Sequence, residues 1–364
     1  MPTAETGSLI PPAGPVSDVY CLELAGQDDA FAVAEAATAA PEATVLAPGL
    51  ALAPSLDAER VRRLAYTHRA SEVVGRTDAS VESATTLLEA ATLDRTGTVA
   101  VRARDVRGTA AVDTRAVERA LGSVLVDRGF AVDLDDPDHE LRALFAGPAE
   151  SAAADRGDGA SPGAGVCVLG WLAVESERGY GGRRPTARPF FQPGSMDPLF
   201  ARALVNLARA GPGTTLLDPM CGTGGVLIEA GLVGARALGV DAQAKMVRGA
   251  RRNLRAYLGG GFLLARGDAT RLPVRPDVVD AVVFDAPYGR QSKIEGESVD
   301  SLVAGALGEA RRVVREGGRG VVVGDRPWAD VAEDADWTVE ATFDRRVHRS
   351  LTRYVVVLRT DGSA

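Results

Sequence analysis

DPMCGTGG at 218–225 and DAPY at 285–288 are the two stretches that decide the fold. The first follows an apolar run, TTLLD (214–218), and precedes a helix-length segment, 224–233. Gly222, Gly224 and Gly225 let the backbone turn tightly and come close to a ligand. The start of the following helix adds unpaired N–H groups. A dinucleotide site has a third glycine where this chain has Leu227, which disfavours a nicotinamide cofactor.

Working outward, apolar runs recur at 236–241, 262–268, 278–285 and 319–325, with helix-length segments at 242–257 and 298–315. This alternation predicts a parallel sheet covered by helices. Asp218, Asp241, Asp268 and Asp285 end four of the runs. Ligands of such sheets bind beyond the carboxyl ends of the strands, where these residues fall. The last two runs, 338–347 and 353–360, are separated only by a short turn. A terminal hairpin on a parallel sheet is the class I methyltransferase arrangement, whereas a dehydrogenase would continue with helical crossovers. The expected fold class is therefore α/β, with a seven-stranded Rossmann-like sheet ending in an antiparallel hairpin.

An acidic residue at Asp241 suits ribose hydroxyls, and Asp268 is placed to meet an adenine amine. Taken singly, each Asp is also what a turn or helix cap requires. In series at successive strand ends they favour a bound adenosyl group. DAPY then supplies an acceptor site. A base amine is a poor nucleophile because its lone pair is delocalised into the ring. The Asp285 carboxylate and the carbonyl near Ala286–Pro287 can accept its hydrogens and turn that lone pair towards a methyl group. Pro287 fixes the turn, and Tyr288 offers a ring on which a base can stack. In isolation DAPY is more often an Asx-Pro turn, and DPMCGTGG beside it reverses that balance. These motifs together give a methyl-donor site for S-adenosylmethionine and an amine acceptor. They leave guanine or adenine, and RNA or DNA, open. They also leave open an RNA-binding module with an inactive catalytic domain, against which the four intact Asp residues speak.

The N-terminal half is mixed. Strands are expected at 19–26, 98–106 and 166–176, helices at 28–40 and 113–129, and a strand pair around a turn at 130–147. The first 17 residues read as a disordered lead, and 148–165 as a linker. At 364 residues, two or three domains are expected. Arg183, Arg184 and Arg188 with Phe190 and Phe191 mix guanidinium and aromatic groups, a combination suited to RNA; the plainer reading is an exposed Arg stretch with two Phe packed on the sheet. A second basic patch is Arg345, Arg346, His348, Arg349 and Arg353.

Net charge is −8, and only Lys245 and Lys293 are lysines, so the basic charge is almost entirely Arg. The negative sign counts against nucleic-acid binding, but net charge says little about a local groove. Cys21, Cys167 and Cys221 are far apart and form no CxxC, and the three histidines are scattered. Neither a disulfide framework nor a metal site is expected. No apolar run is long enough for a membrane span, and no secretory signal is visible. A cytoplasmic monomer is the expectation.

DPMCGTGGVLIEAG (218–231), VDAQAKMVRGARRNL (240–254), GDAT (267–270), FDAPYGRQS (284–292) and VHRSLTRYVVVL (347–358) together resemble the archaeal tRNA (guanine-10, N2) dimethyltransferases. RRPTARPFFQPGSMDP (183–198) is similar to that family's motif for the methionine end of the cofactor. AVDLDDPDHELRALF (131–145) is similar to the core of a THUMP domain, an RNA-binding module of tRNA-modifying enzymes. VYCLELAGQDDAFAVAE (19–35) and RLAYTHRASEVVG (63–75) resemble its ferredoxin-like companion. The common pattern Asp-Pro-Pro-Tyr has Ala286 at its second position here.

The resemblance implies a lead at 1–17, a ferredoxin-like domain at 18–75 and a THUMP-like domain at 76–176. A linker with the cofactor motif follows at 177–196, and the methyltransferase domain at 197–364. It implies that Asp285 orients the guanine amine and helps with its proton, while Pro287 and Tyr288 shape the base pocket. Asp218, Pro219, Cys221, Gly222, Thr223, Gly224, Asp241, Asp268 and Ala269 would line the cofactor site with Pro193 and Ser195. Arg183, Arg184, Arg188, Arg290 and Arg349 would touch RNA, and tRNA would be the partner.

Overall fold

The computed structural model describes residues 19–148, 165–287, 298–348 and 351–361. The expected lead at 1–17, most of the 148–165 linker, Tyr288, Arg290 and Arg349 lie outside them. The N-terminal half runs β1 (Tyr20–Leu24), α1 (Asp29–Ala36), β2 (Thr44–Ala47), β3 (Leu50–Ala53), α2 (Ala58–Val61), β4 (Thr67–Asp78), α3 (Val81–Ala90), β5 (Thr98–Asp105), α4 (Thr114–Asp127), β6 (Ala131–Val132), β7 (His139–Ala146) and β8 (Val166–Glu175). The C-terminal half runs α5 (Pro198–Leu207), β9 (Thr215–Asp218), α6 (Gly225–Leu232), β10 (Arg236–Asp241), α7 (Ala244–Leu258), β11 (Phe262–Arg266), β12 (Val279–Asp285), α8 (Val299–Val313), β13 (Val314–Gly324), α9 (Ala329–Glu333), β14 (Thr338–His348) and β15 (Leu351–Arg359).

The chain forms two compact units. One comprises residues 1–24, 40–57 and 69–175, and the other 25–39, 58–68 and 176–364. The first unit is one eight-stranded sheet, ordered β2-β3-β1-β4-β8-β7-β5-β6. The boundary expected at 75/76 falls inside β4, so the ferredoxin-like and THUMP-like stretches share a sheet. The amphipathic helices α3 and α4 cover one region of it, burying Leu88, Leu121 and Leu125 against Leu141, Phe145 and Trp171. Residues 130–147 differ from the expected hairpin. β6 and β7 do not pair with each other; both run parallel to β5, on opposite sides of it. Asp138 explains the route: its carboxylate accepts from the N–H and hydroxyl of Thr98 at 2.8 Å, pinning the chain to β5 before β7 begins.

The second unit carries a seven-stranded sheet, ordered β11-β10-β9-β12-β13-β15-β14. β9 to β13 are parallel, and β15 runs antiparallel to both its neighbours. This is the class I methyltransferase order, with the switch point between β9 and β12. Leu217, Val282, Phe284 and Val322 from the sheet form a buried core with Leu307, Trp328 and Trp337.

Helix α1 and residues 58–68 belong to this second unit, although the sequence expectation placed them in an N-terminal domain. The fully buried Glu35 carboxylate of α1 holds them there. It accepts from the N–H of Ala65 at 2.7 Å, the N–H of Tyr66 at 2.6 Å and the Asn206 amide of α5 at 2.6 Å. Burial pushes its pKa up, and these three donors oppose the rise. Removing the carboxylate strands two buried N–H groups. Glu35→Ala is therefore expected to destabilise the second unit by about 3 kcal/mol, read as an earlier midpoint in denaturant unfolding.

Candidate active site

Asp218 ends β9, and its carboxylate accepts from the N–H of Met220 at 3.1 Å. The chain then turns sharply. The N–H of Gly224 donates to the carbonyl of Cys221 at 2.7 Å, and the N–H of Cys221 to the carbonyl of Val240 at 2.9 Å. Gly222 and Gly224 take φ values of +49° and +79°, in the left-handed region that favours glycine. Gly224 also has no room for a side chain, since a Cβ there would stand 2.5 Å from Leu254 of α7. From this turn α6 starts, with its N–H groups at the edge of a cavity.

That cavity has a volume of about 310 Å³, within the usual range for small-ligand sites. Of the residues expected at a cofactor site, Pro193, Ser195, Asp218, Cys221, Gly222 and Thr223 line it. Asp285 and Pro287 line it too, so the two motifs 60 residues apart in sequence meet at one opening. Pro219, Gly224, Asp241, Asp268 and Ala269 are not on its wall. Asp241 stands behind the turn, accepting from the N–H of Gly222 at 2.9 Å and of Gln243 at 2.8 Å. Asp268 closes an exposed Asx turn, accepting from the N–H and hydroxyl of Thr270 at 2.8 and 2.9 Å. Ala269 is in the core. Met220, Met246, Gly194 and Val226 also line the cavity; apolar side chains carry no sign of chemistry in a sequence.

The ionisable side chains on the cavity wall, among the described residues, are the carboxyls of Asp218 and Asp285 and the thiol of Cys221. Asp218 is only 3% exposed, and burial raises its carboxyl well above the ordinary range. The N–H of Met220 opposes that rise, and the nearby charges of Asp241 and Asp285 add to it. Burial also raises Asp241, against its two backbone donors. Among the described residues no Lys or Arg lines the cavity, and Arg353 stands 3.6 Å from Asp285.

The segment 183–196 is held against this turn by a residue the sequence reading did not single out. Asn253 of α7 is fully buried. Its amide donates to the carbonyls of Phe190 and Thr223 at 2.9 Å and accepts from the N–H of Phe190 at 2.8 Å. Phe190 lies over Gly249, where any Cβ would collide with the ring. The hydroxyls of Ser195 and Thr223 are 3.1 Å apart.

Two of the arginines expected at RNA are spent inside the unit. Arg183 pairs with the buried Glu229 at 2.7 Å, and Arg202 pairs with the same carboxylate at 2.8 Å. Arg188 is 5% exposed and donates to the carbonyls of Arg183 and Met196. A buried carboxylate demands such partners, which sequence cannot display. Arg184 is exposed, as is Phe191. In the terminal patch Arg345 is likewise turned inward. Its guanidinium lies 4.4 Å from the Phe31 ring, 4.6 Å from Tyr66 and 5.3 Å from Phe200. Among the described residues no group of His, Cys, Asp or Glu is arranged to hold a metal, and no helix is long and apolar enough to cross a membrane.

Residues 185–354 match the family described as RMKL-like, methyltransferase domain. A tRNA (guanine(10)-N2)-dimethyltransferase of Methanothermobacter thermautotrophicus is 36% identical over 301 residues, 82% of this chain and 83% of that one. The protein of the same name from Pyrococcus abyssi is 32% identical over 265 residues, 72% of this chain and 74% of that one. The mouse U6 snRNA (guanine-N(2))-methyltransferase THUMPD2 is 32% identical over 145 residues, 39% of this chain and 26% of that one.

The two turn glycines should separate in mutation. Gly224→Ala combines a positive φ with the clash on Leu254 and is expected to cost about 2 kcal/mol of stability or more. Gly222→Ala meets nothing nearer than the Met220 carbonyl at 4.0 Å and should cost about half as much. Paired denaturant melts of the two variants test this ordering.

Proposed function

We propose a function from one premise: the chain belongs to the family of tRNA (guanine(10)-N2)-dimethyltransferases. It is an S-adenosylmethionine-dependent enzyme that methylates the exocyclic N2 amine of guanosine in tRNA, at position 10. The observation that carries the reading at residue level is the meeting of Asp218 and Asp285 at one cavity beside the α6 N-terminus.

The charge of that cavity fits the cofactor. S-adenosylmethionine has a sulfonium and an ammonium, both cationic, and a carboxylate. Asp218 suits the cations, and the N–H groups at the start of α6 suit the carboxylate. Gly222, Thr223, Ser195 and Pro193 would close around it, with Asp241 holding the turn in shape. Bound there, the cofactor supplies a methyl group already activated for transfer. The protein's task is then positioning, which alone contributes heavily to rate. Asp285 accepts a hydrogen bond from the guanine amine and turns its lone pair towards the methyl. Transfer of that methyl to the amine would leave a neutral thioether as leaving group, so the residues need act only on the amine. The surplus amine proton passes to Asp285 or to water. Pro287 keeps the carbonyl before it aimed at the same amine, and Tyr288 stacks the base. The first unit is the tRNA-gripping part, and Arg184, Arg290 and Arg349 are further RNA contacts. The target guanine must leave its stack to reach the pocket. The enzyme works as a cytoplasmic monomer.

A second reading, guanine-N2 methylation of another RNA, is favoured by the likeness to the U6 snRNA enzyme. Nucleoside mass spectrometry of tRNA from a strain lacking the gene separates the two. Loss of N2-methylated guanosine at position 10 is expected, and an unchanged position 10 overturns the tRNA reading.

Two variants test the residues. Asp285→Ala should keep cofactor affinity within about threefold while turnover falls on the order of 1000-fold; equal loss of both would assign Asp285 to the cofactor. Asp218 has a folded pKa raised above its ordinary 3.8, so the empty site retains protons that a cationic ligand must displace. Cofactor affinity should therefore rise as pH climbs from about 3.8 through the raised value and level off above it. In Asp218→Asn that slope should flatten, as calorimetric titrations at several pH values would reveal.

A further inference from the structure

We propose that Arg353 is a positioning residue for Asp285: its guanidinium, held against the ring of Phe200, restrains the carboxylate that receives the base amine. This rests on the reading of Asp285 as the amine acceptor. Arg353 Nη2 stands 3.6 Å from Asp285 Oδ2, and the two side chains are 12% and 23% exposed. At that exposure the attraction is screened less than at an open surface.

The topology delivers Arg353 to this place. β15 is antiparallel to β13, with Val323 opposite Val355 and Gly324 opposite Tyr354. Its first residues therefore lie at the sheet edge where the parallel strands end. The N–H of Ala286 donates to the carbonyl of Val323 at 2.8 Å, fixing DAPY beside the same edge. A strand running the other way would present its far end here.

The hairpin carries an unusual pairing at this point. Arg345 of β14 lies directly opposite Arg353 of β15. Like charges so placed repel, and an ordinary hairpin avoids them. Here each has separate compensation. Arg345 sits among the ring faces of Phe31, Tyr66 and Phe200, which attract a cation. Arg353 has the same Phe200 ring at 5.8 Å and the Asp285 carboxylate beyond it. Phe31 packs in turn on Phe343, two residues before Arg345 in β14, at 5.4 Å between centroids. The repulsion from Arg345 and the stack on Phe200 favour the approach of Arg353 to Asp285. A guanidinium is the group for this work, being planar, permanently charged and able to stack.

Steady-state kinetics on full-length protein with tRNA transcript test the assignment. Arg353→Ala should lower kcat on the order of 100-fold, with the KM for tRNA and the Kd for S-adenosylmethionine within about threefold of the parent. Arg353→Lys keeps the charge without the planar stack and should recover part of the loss. Millimolar guanidinium should partly restore turnover of Arg353→Ala, an effect that a merely structural residue would not show. Unchanged kcat in either variant, or a loss confined to KM and Kd, overturns the proposal. If Arg353→Ala does not fold, Arg353→Lys decides alone: parental kcat overturns the proposal, and a kcat reduced at constant KM upholds it. Asp285→Ala in the same assay keeps the two ideas apart. If it turns over normally, the amine-acceptor reading fails; if it is inactive while Arg353→Ala is not, only the role of Arg353 fails.

Discussion

The Gly222 N–H donates to the Asp241 carboxylate at 2.9 Å, and that bond joins the turn after β9 to the end of β10. Much of the site depends on it. The turn must fold back sharply for α6 to start beside the cavity, and glycine conformations permit this without enforcing it. Asp241 does the enforcing, while its second oxygen receives the N–H of Gln243 just before α7. One carboxylate therefore sets the shape of the loop and the start of the next helix. Its own carboxyl is raised by burial, which the two donors offset.

Around that turn the protein concentrates negative charge where a cation belongs. Asp218 is nearly inaccessible, and Asp241 and Asp285 raise its pKa further. Asp285 has Arg353 beside it at 3.6 Å, but Asp218 has no cationic partner among the described residues, and a buried carboxylate so placed costs stability. A sulfonium ligand would relieve that cost. Elsewhere the chain treats its buried acids differently. Glu229 receives Arg183 and Arg202, and Glu23 receives Arg142 through two bonds of 2.9 Å. The contrast sets Asp218 apart from the other buried acids.

The scarcity of lysine acquires a structural meaning. Arg183, Arg188, Arg142, Arg345 and Arg353 all work as forks or stacking planes inside their own units. Lysine cannot replace a bidentate or stacked guanidinium. Much of the basic charge that a sequence reader would assign to nucleic acid is thus internal framework.

The strand–helix alternation and the two motifs were legible in the sequence because each is local. Periodicity follows from which side of an element is buried, and glycine, proline and strand-end aspartate report on the backbone within a few residues. The terminal hairpin was legible for the same reason. The division of the N-terminal half was not, because β4 joins stretches that read as separate and α1 leaves them for the second unit. Strand pairing and helix docking are non-local, and nothing in TVAVRARD says that its neighbours on both sides will be parallel. The fate of individual charged residues was equally hidden. Asp241, Asp268 and Asp218 look alike in sequence, yet they become a brace, a turn and a cavity wall. Arg183 and Arg184 are adjacent, and only one is exposed. Residue type and spacing determined which chemistry this chain can perform. The tertiary structure decided which copies of each residue perform it, because burial and the partner across the fold set the charge and direction of a side chain.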